Sequence, residues 1–258
     1  MATVSTYLSD LADGLVFSEN QKSQIKTSVQ TIKDRLEGYF SKTIYPVKEI
    51  RIFGSYDRNT IINNKDVDID IMIVFENSQG YTPQTYLNKL KEFASNSYSQ
   101  SINAQSNPAI KISLNHITFE LVPAYQRYLQ YGIKSYFIPN TNNGTFSFDA
   151  WEQTEFDFNK KIKEACNNSK NIYRLILLMK SWCSKNNYIS SYKLEQMIVE
   201  CNYYQSDTIL FDYLYRFIAT RQIEGNLKSL YDNIMKVQEY RNQGNENAAI
   251  EELKKVSF

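Results

Sequence analysis

The sequence has 258 residues, is 42% hydrophobic and contains 20 Tyr and 14 Phe, which is enough for a well-buried core in one large domain or two joined lobes. Its formal net charge of +1 argues against an avid duplex-binding protein. Three scattered cysteines and one histidine, His116, exclude a multi-histidine metal site and a disulfide frame. Because no leader peptide or membrane-length apolar run is present, we expect a soluble cytoplasmic protein.

The first half of the chain mixes helices and strands. The stretch "SENQ" is a capping box in which Ser18 opens a helix to about Phe40. Thr82 and Pro83 form a second helix start, which predicts a helix to about Ala94. Strands are predicted at residues 47–53, 67–75, 110–114 and 116–122. We expect a tight turn at Asn115 between the last two strands, and we expect Pro123 to end the second of them.

Beyond about residue 150 the pattern is helical. Residues 171–185 carry apolar side chains at helical spacing, and these form one face: Ile172, Leu175, Ile176, Met179, Trp182 and Cys183. Further helices are predicted at residues 191–202, 208–221 and 226–256. The predicted fold class is α+β, with a mixed lobe over residues 1–150 and a helical lobe over residues 151–258. An active site often lies in the cleft between two such lobes.

The stretch "DVDID" places three aspartates at alternate positions of an otherwise apolar strand. Side chains of a strand alternate between its faces, so Asp66, Asp68 and Asp70 are expected on one face. A solvated sheet edge with alternating acids is the competing interpretation. Two pairs compete as metal ligands, Asp66 with Asp68 or Asp68 with Asp70. We favour Asp68 and Asp70, because the first pair would leave Asp70 buried without a partner.

Two neighbouring motifs favour phosphoryl-transfer chemistry. In "FGS", Gly54 permits a sharp turn and close approach of a phosphate to the backbone, and Ser55 stands where a hydroxyl and helix N–H groups can hold an anion. In "HITFELVPAY", Glu120 supplies a third carboxylate, which two-metal phosphoryl transfer usually takes from a neighbouring strand. The alternative for Glu120 is an ordinary exposed strand residue.

Together, "FGSYDRNT…DVDID" and "FELVPA" resemble the DNA polymerase β-type nucleotidyltransferases, and among them the cGAS/DncV-like enzymes (CD-NTases) of bacterial CBASS anti-phage systems. The likeness extends over nearly the whole chain. The opening helix resembles their spine helix, "NIYRLILLMKSW" their lysine-bearing helix, "ISSYKLEQMIVE" their "SSY"-type helix start and "GNENAAIEELKKV" their C-terminal helix. The resemblance implies a polymerase β-like nucleotidyltransferase lobe and a C-terminal helical lobe that form a bilobed cage with a nucleotide site between them.

The resemblance also implies roles for individual residues. Asp68, Asp70 and Glu120 would be catalytic and would bind two Mg²⁺ ions, with Mn²⁺ as an alternative. The implied nucleotide-binding residues are Gly54 and Ser55 for the donor triphosphate, Lys180 and Ser191 for the β- and γ-phosphates, and Tyr192 for stacking on a base.

Two positions depart from the family pattern. Asn59 stands before Thr60, where the family often has Gly, although Asn also tolerates left-handed backbone. Glu120 stands where Asp is commoner, and its extra methylene changes the reach of the carboxylate by roughly 1.5 Å, about one carbon–carbon bond.

The implied function is Mg-dependent joining of NTPs (ATP, GTP, UTP or CTP) into a cyclic di- or trinucleotide second messenger for anti-phage defence, with release of pyrophosphate. We expect a monomer that reaches its effector through its product and binds neither duplex nucleic acid nor a membrane. One alternative is a nucleotidyltransferase that modifies RNA, an antibiotic or a protein. Another is a non-catalytic nucleotide sensor, although such proteins commonly lack a metal carboxylate.

Overall fold

The computed structural model describes residues 3–64, 67–76, 80–106, 108–128, 132, 134–140, 144–154, 156–221 and 225–258. Helices within these ranges are α1 (Val4–Gly14), α2 (Glu19–Phe40), α3 (Gly54–Asp57), α4 (Pro83–Ser97), α5 (Phe156–Asn168), α6 (Lys170–Asn186), α7 (Ser191–Val199), α8 (Leu210–Ala219), α9 (Asn226–Asn242) and α10 (Glu246–Leu253). Strands are β1 (Val47–Ile52), β2 (Asp68–Phe75), β3 (Ile102–Ser106), β4 (Ala109–Ser113), β5 (Thr118–Tyr128), β6 (Lys134–Pro139) and β7 (Trp151–Gln153). The predicted α+β fold class is confirmed.

These elements belong to two compact units. The sheet unit consists of Phe17–Arg58 and Lys65–Asp157, and the helical unit consists of Met1–Val16, Asn59–Asn64 and Phe158–Phe258. Compactness thus groups α1 and a six-residue internal segment with the C-terminal helices. The division into functional lobes near residue 150 stays a prediction, because a division by function is a different criterion.

The sheet unit is built on a mixed seven-stranded sheet. Its strand order is β1-β2-β5-β4-β3, with β6 paired to β5 and β7 paired to β6. Strands β2 and β5 run parallel, whereas the other pairs are antiparallel. The parallel pair therefore lies at the centre of the sheet, with partners on both sides.

Strand β2 has one face buried by helices of the same unit. Ile69 and Ile71 are fully buried on this face. Phe75, further along it, stacks on Tyr86 of α4 with ring centroids 4.5 Å apart and meets Phe40 of α2 edge-on at 5.2 Å. Burial of each such ring stabilises the fold by about 1.5–3 kcal/mol, so this aromatic layer fixes α2 and α4 against the sheet.

The opposite face of β2 changes character along the strand. It begins with Asp68 and Asp70 and continues with Met72 and Val74, which are fully buried. The two apolar residues join a small cluster that includes Ala124, Tyr136, Phe53 and Ile138. The carboxylates therefore lie at the N-terminal end of β2, next to this apolar cluster.

The helical unit packs around α6 as the apolar spacing predicted. Leu175, Ile176 and Met179 are fully buried, and α1, which was not predicted, adds Val4 and Leu8 to the same core. The helix expected over residues 226–256 is two helices instead. Gly244 breaks it with a φ of +71°, and Asn245 caps the next helix by accepting a hydrogen bond from the N–H of Ala248 at 3.1 Å.

The capping box at Ser18 is confirmed, because its hydroxyl and the Gln21 side chain each bind the other residue's backbone N–H. The prediction that Pro123 ends its strand is wrong, since β5 continues to Tyr128. On one edge of β5, pairing with β4 stops at Leu121 and pairing with β6 starts at Tyr125. Pro123 lies in that gap, where its missing N–H leaves no ladder bond unmade.

Three further points concern the extent of the predictions. Strands β3, β6 and β7 and helix α5 were not predicted. Asp66, which was considered as a metal ligand, lies outside the described residues. Among the helices that the structure describes, none combines the length and apolar character that crossing a membrane requires.

Candidate active site

The register between β2 and β5 brings two of the predicted carboxylates together. Asp70 pairs directly with Glu120, and Asp68 pairs with Thr118. Residues opposite each other on neighbouring strands point to the same face, so Asp68, Asp70 and Glu120 share one face of the sheet. The sequence predicted that carboxylates from two neighbouring strands would meet, and this register places them on the same face.

A lysine that sequence reasoning missed completes this row of charges. Lys111 on β4 pairs with Glu120 on the other side of β5. Its Nζ lies 2.7 Å from Oε1 of Glu120 and 3.9 Å from Oδ2 of Asp68. These contacts raise the pKa of Lys111, chiefly through the hydrogen bond to Glu120. The row therefore contains the carboxylates of Asp70 and Glu120 and the ammonium of Lys111, on three adjacent strands.

The pKa of Asp68 is changed by its surroundings. Burial raises the pKa of its carboxyl from the ordinary 3.8 to about 6, the charge of Glu120 adds to the rise, and Lys111 opposes it. A hydrogen bond with Glu120 also favours the protonated form of Asp68. The cluster thus holds more negative charge than Lys111 alone offsets.

The turn before the cluster depends on Gly54. Its φ is +67°, a left-handed conformation that suits glycine, and a Cβ built there would lie 1.8 Å from Oδ2 of Asp70. The backbone N–H of Phe53 also donates to the carbonyl of Asp70 at 3.1 Å. Gly54 is therefore needed both for the turn and for the space that the Asp70 carboxylate takes. Ser55 follows in the first turn of α3, and its contact with a phosphate stays a prediction.

A second left-handed residue, Asn59, follows α3. Asn59 has a φ of +61°, as an Asn in place of the family's Gly allows. Thr60, which follows, is fully buried in the helical unit. The segment Asn59–Asn64 therefore begins with a left-handed residue, is buried at residues 60–62 and is exposed at its last two residues.

Lys180, predicted to bind phosphate, is held in a buried network of the helical unit. Its Nζ donates to the carbonyl oxygen of Thr60 at 2.8 Å and to Oε1 of Glu195 at 3.0 Å. Thr60 also donates its hydroxyl to the same Glu195 oxygen at 2.9 Å. The side chains of Lys180 and Glu195 are 4% and 0% exposed. Glu195 was missed by sequence reasoning, and the phosphate role of Lys180 stays a prediction.

The other two residues expected to bind nucleotide lie at the start of α7. Ser191 is the first helical residue and is exposed, while Ser190 is the N-cap. Tyr192 is half-buried and packs against the core of the helical unit. Their roles toward a nucleotide stay predictions.

The donor chemistry of the cluster fits a divalent cation such as Mg²⁺, which prefers carboxylate oxygens. Burial and, after it, the charge of Glu120 raise the pKa of Asp68, and a bound cation would favour its ionised form. In the part of the chain that the structure describes, however, no three His, Cys, Asp or Glu side chains are gathered around one point as ligands of a single ion. Glu120 is instead paired with the ammonium of Lys111.

Comparison with known families gives one match. Residues 1–165 match the model of the family described as "Second Messenger Oligonucleotide or Dinucleotide Synthetase domain". A comparison with curated proteins gives no match.

Solved structures share the fold at low sequence identity. The structure of E. coli CdnC with ATP has a TM-score of 0.70 at 13% identity and covers 98% of this chain and 96% of its own. Bradyrhizobium diazoefficiens CdnG, a CD-NTase in complex with GTP, gives 0.69 at 12% identity and covers 98% of both chains. Vibrio cholerae DncV cyclic AMP-GMP synthase, in complex with nonhydrolyzable GTP, gives 0.70 at 9% identity and covers 95% of this chain and 92% of its own. At these identities the likeness is one of fold.

We predict that Gly54→Ala destabilises the protein by about 1–3 kcal/mol, because it forces a side chain into left-handed backbone. It also displaces the Asp70 carboxylate. Gly38→Ala is the control, since Gly38 lies inside α2 with no atom within 4 Å of an added Cβ, and it should stabilise by about 0.5–1 kcal/mol. Urea unfolding measures both, and equal stability of Gly54→Ala and wild type would contradict the role of Gly54.

We predict a pH-dependent stability difference between wild type and Asp68→Asn. The folded-state pKa of Asp68 is raised, so its protonated form stabilises the fold below about pH 4 and this contribution is lost as pH rises through about 6. The stability of wild type relative to Asp68→Asn should therefore fall between pH 4 and 6.5. Urea unfolding in EDTA measures this, with the exposed Asp34→Asn as control. Parallel curves would show that Asp68 titrates normally.

We predict that Glu195→Ala costs about 3–5 kcal/mol, because it leaves the ammonium of Lys180 buried without its carboxylate. The double variant Glu195→Leu with Lys180→Met should recover much of that loss, since it removes both charges. Glu200→Ala, at an exposed position just after α7, should change stability by less than about 0.5 kcal/mol. If the single and double variants lose equal stability in urea, the ion pair is not the cause.

Proposed function

The chain belongs to the second messenger oligonucleotide or dinucleotide synthetase family and is a nucleotidyltransferase, and from this premise we propose that Asp68, Asp70 and Glu120 are its catalytic centre. The resemblance to the cGAS/DncV-like enzymes is confirmed by this family match. The reaction joins NTPs into a cyclic di- or trinucleotide second messenger. The family implies a role in anti-phage defence.

One observation carries the assignment of the centre. The register between β2 and β5 sets Asp70 beside Glu120 on one face, with Asp68 within hydrogen-bonding reach of Glu120. Carboxylates from two neighbouring strands converging on one face are the ligand set that two-metal phosphoryl transfer uses. A solvated edge strand, the competing interpretation, is a poor fit, because β2 has a partner strand on each side.

Mg²⁺ ions held by Asp68, Asp70 and Glu120, with Mn²⁺ as a substitute, would lower the pKa of the attacking ribose hydroxyl and offset the charge of the triphosphate. The protein's own task is to keep the three carboxylates on one face. Glu120 has the longest side chain of the three, which suits it to orient the hydroxyl or accept its proton.

The chemistry is an in-line displacement at phosphorus. The ribose hydroxyl of one nucleotide forms a bond to the α-phosphorus of the next, the bond between that phosphorus and the bridging oxygen of pyrophosphate breaks, and the hydroxyl proton leaves to the base. The linear product then turns so that its own free hydroxyl attacks its remaining triphosphate. The last displacement closes the ring, and one pyrophosphate is released for each phosphodiester bond of the ring.

The nucleotide is held by residues outside the carboxylate cluster. Gly54 lets the backbone approach the donor triphosphate, and Ser55 adds a hydroxyl and a backbone N–H in the first turn of α3. From the helical unit, Lys180 and Ser191 bind the β- and γ-phosphates and Tyr192 stacks on a base. Lys180 is 4% exposed and already paired with Glu195 and Thr60, so in this role a phosphate takes the place of one of these partners.

The substrates are NTPs, and the effector is reached through the cyclic product. We propose that the protein works as a monomer without duplex nucleic acid.

The test is incubation of purified protein with the four α-³²P-labelled NTPs and Mg²⁺ or Mn²⁺, without any added acceptor. We expect a product that resists alkaline phosphatase, because a ring has no terminal phosphate, and mass spectrometry identifies its bases and ring size. Asp70→Asn should lower the rate by about 10³-fold or more, since a metal-bound transition state loses several kcal/mol of stabilisation. The exposed Asp34→Asn on α2 is the charge-matched control and should retain the wild-type rate.

Three results would contradict the proposal. A product that forms only when RNA, an antibiotic or a protein acceptor is added would indicate transfer to that acceptor. Nucleotide binding without turnover, unchanged by Asp68→Asn and Asp70→Asn, would indicate a sensor. Full activity of Asp70→Asn would show that the centre lies elsewhere.

A further inference from the structure

We propose that Lys111 is a built-in counter-ion of the carboxylate cluster, which holds Glu120 until a divalent cation displaces it. The inference rests on the proposed function only in taking Asp68, Asp70 and Glu120 as the metal ligands. It adds a residue that neither the metal chemistry nor the family resemblance requires. Lys111 is a positioning residue, since it acts through Glu120.

The placement of Lys111 follows from the sheet. Glu120 lies in the middle of a row across three strands, with Asp70 on one side and Lys111 on the other. The hairpin between β4 and β5 fixes the second pairing, because Leu114 donates its N–H to the carbonyl of Ile117 across a two-residue turn. A shift of one residue would turn Lys111 to the apolar face, so the register holds it on the face of the carboxylates.

The distances show which carboxylates the ammonium of Lys111 pairs with. Lys111 lies 2.7 Å from Glu120 and at a longer 3.9 Å from Asp68. The ammonium thus contacts Glu120 directly and lies within ion-pair distance of Asp68, so it neutralises the same carboxylates that a bound cation would. Consistent with this, no three metal-ligating side chains among the described residues converge on one point.

Lys111 can leave when a stronger cation arrives. Its side chain is 35% exposed, and a lysine ammonium on a flexible four-carbon stem moves into solvent without unfolding its strand. A partly exposed pair also contributes little net stability, so exchanging it is easy. Lys180 differs in this respect, because its ammonium is 4% exposed and is held from two sides.

The identity of residue 120 fits the same interpretation. Glutamate has one more methylene than aspartate, so its carboxylate can reach either the lysine on β4 or the aspartates on β2 while its backbone stays in register. A shorter aspartate at this position would lie closer to β5 and further from Nζ of Lys111. The pair Lys111 and Glu120 therefore gives the third carboxylate two positions, one with the ammonium and one with the metal.

The two interpretations of Lys111 differ in a measurable quantity. An ordinary cross-strand ion pair stabilises the sheet and does not change the affinity of the cluster for a metal ion. A counter-ion competes with the metal, so removing it raises the affinity of the cluster for a cation. One unit charge removed at about 4 Å from the ligands changes the affinity by about fivefold or more, even with the screening of water.

The experiment measures Mn²⁺ binding to the full-length protein without nucleotide, by electron paramagnetic resonance of free Mn²⁺. We expect Lys111→Met to bind Mn²⁺ at least about fivefold more tightly than wild type. Lys111→Arg keeps the charge and should bind as wild type does or more weakly. Lys134→Met is the matched control, since Lys134 is a similarly exposed lysine of the same unit that pairs with Glu49, and it should leave affinity unchanged.

A second readout uses the folded state alone. Without metal, Lys111→Met should have a lower Tm than wild type, and saturating Mn²⁺ should raise its Tm by more, because tighter binding to the folded state stabilises it further. Lys111→Gln serves as a second variant that keeps a polar side chain if Lys111→Met folds poorly. Circular dichroism verifies the fold of each.

The outcomes separate the two proposals. If wild type binds Mn²⁺ and both Lys111→Met and Lys111→Gln bind it no more tightly, the counter-ion role is wrong and the metal centre stands. If neither wild type nor the Lys111 variants bind Mn²⁺, the metal centre itself is wrong, and the inference falls with it. Tighter binding by the uncharged variants but not by Lys111→Arg supports the counter-ion role.

Discussion

The parallel pairing of β2 with β5 is the constraint on which the rest of the site depends. It sets Asp70 beside Glu120 and, one residue later, Ile71 beside Leu121, which is fully buried. A slip of one residue would exchange the acidic and apolar faces and would drive a carboxylate into the aromatic layer beneath. The hydrophobic core and the acidic cluster are thus held in place by one register, so the apolar packing secures the chemistry.

The sequence allowed part of the site to be predicted. Alternation placed Asp68 and Asp70 on one face, and a two-residue turn at Asn115 would have given the pairing of Lys111 with Glu120, had it been used to set the register. The β2–β5 register could not be derived, because over forty residues separate the strands and parallel partners carry no turn that fixes them. The buried position of Glu195 could not be predicted either, because helical spacing identifies apolar faces and not a buried acid whose partners lie elsewhere in the chain.

The two lysines show two ways in which this protein uses a positive charge. Lys180 is enclosed, and its carboxylate and carbonyl partners fix the position of its ammonium in the helical unit. Lys111 lies at the surface of the sheet with a single short contact, and its pairing is exchangeable. A buried charge such as that of Lys180 fixes the position of the chain segments that pair with it. A partly exposed charge such as that of Lys111 changes the affinity of the neighbouring carboxylates for a cation. The burial of each side chain therefore indicates which task it performs.

The chain passes from one compact unit to the other four times, after Val16, Arg58, Asn64 and Asp157. Neither unit is a continuous stretch of sequence. A genetic crossover between Asn64 and Lys180 would divide the helical unit between two parents, and the buried Thr60 would meet a foreign lysine and glutamate. Neither unit can therefore be exchanged as a single continuous segment, and replacing one of them takes more than one junction.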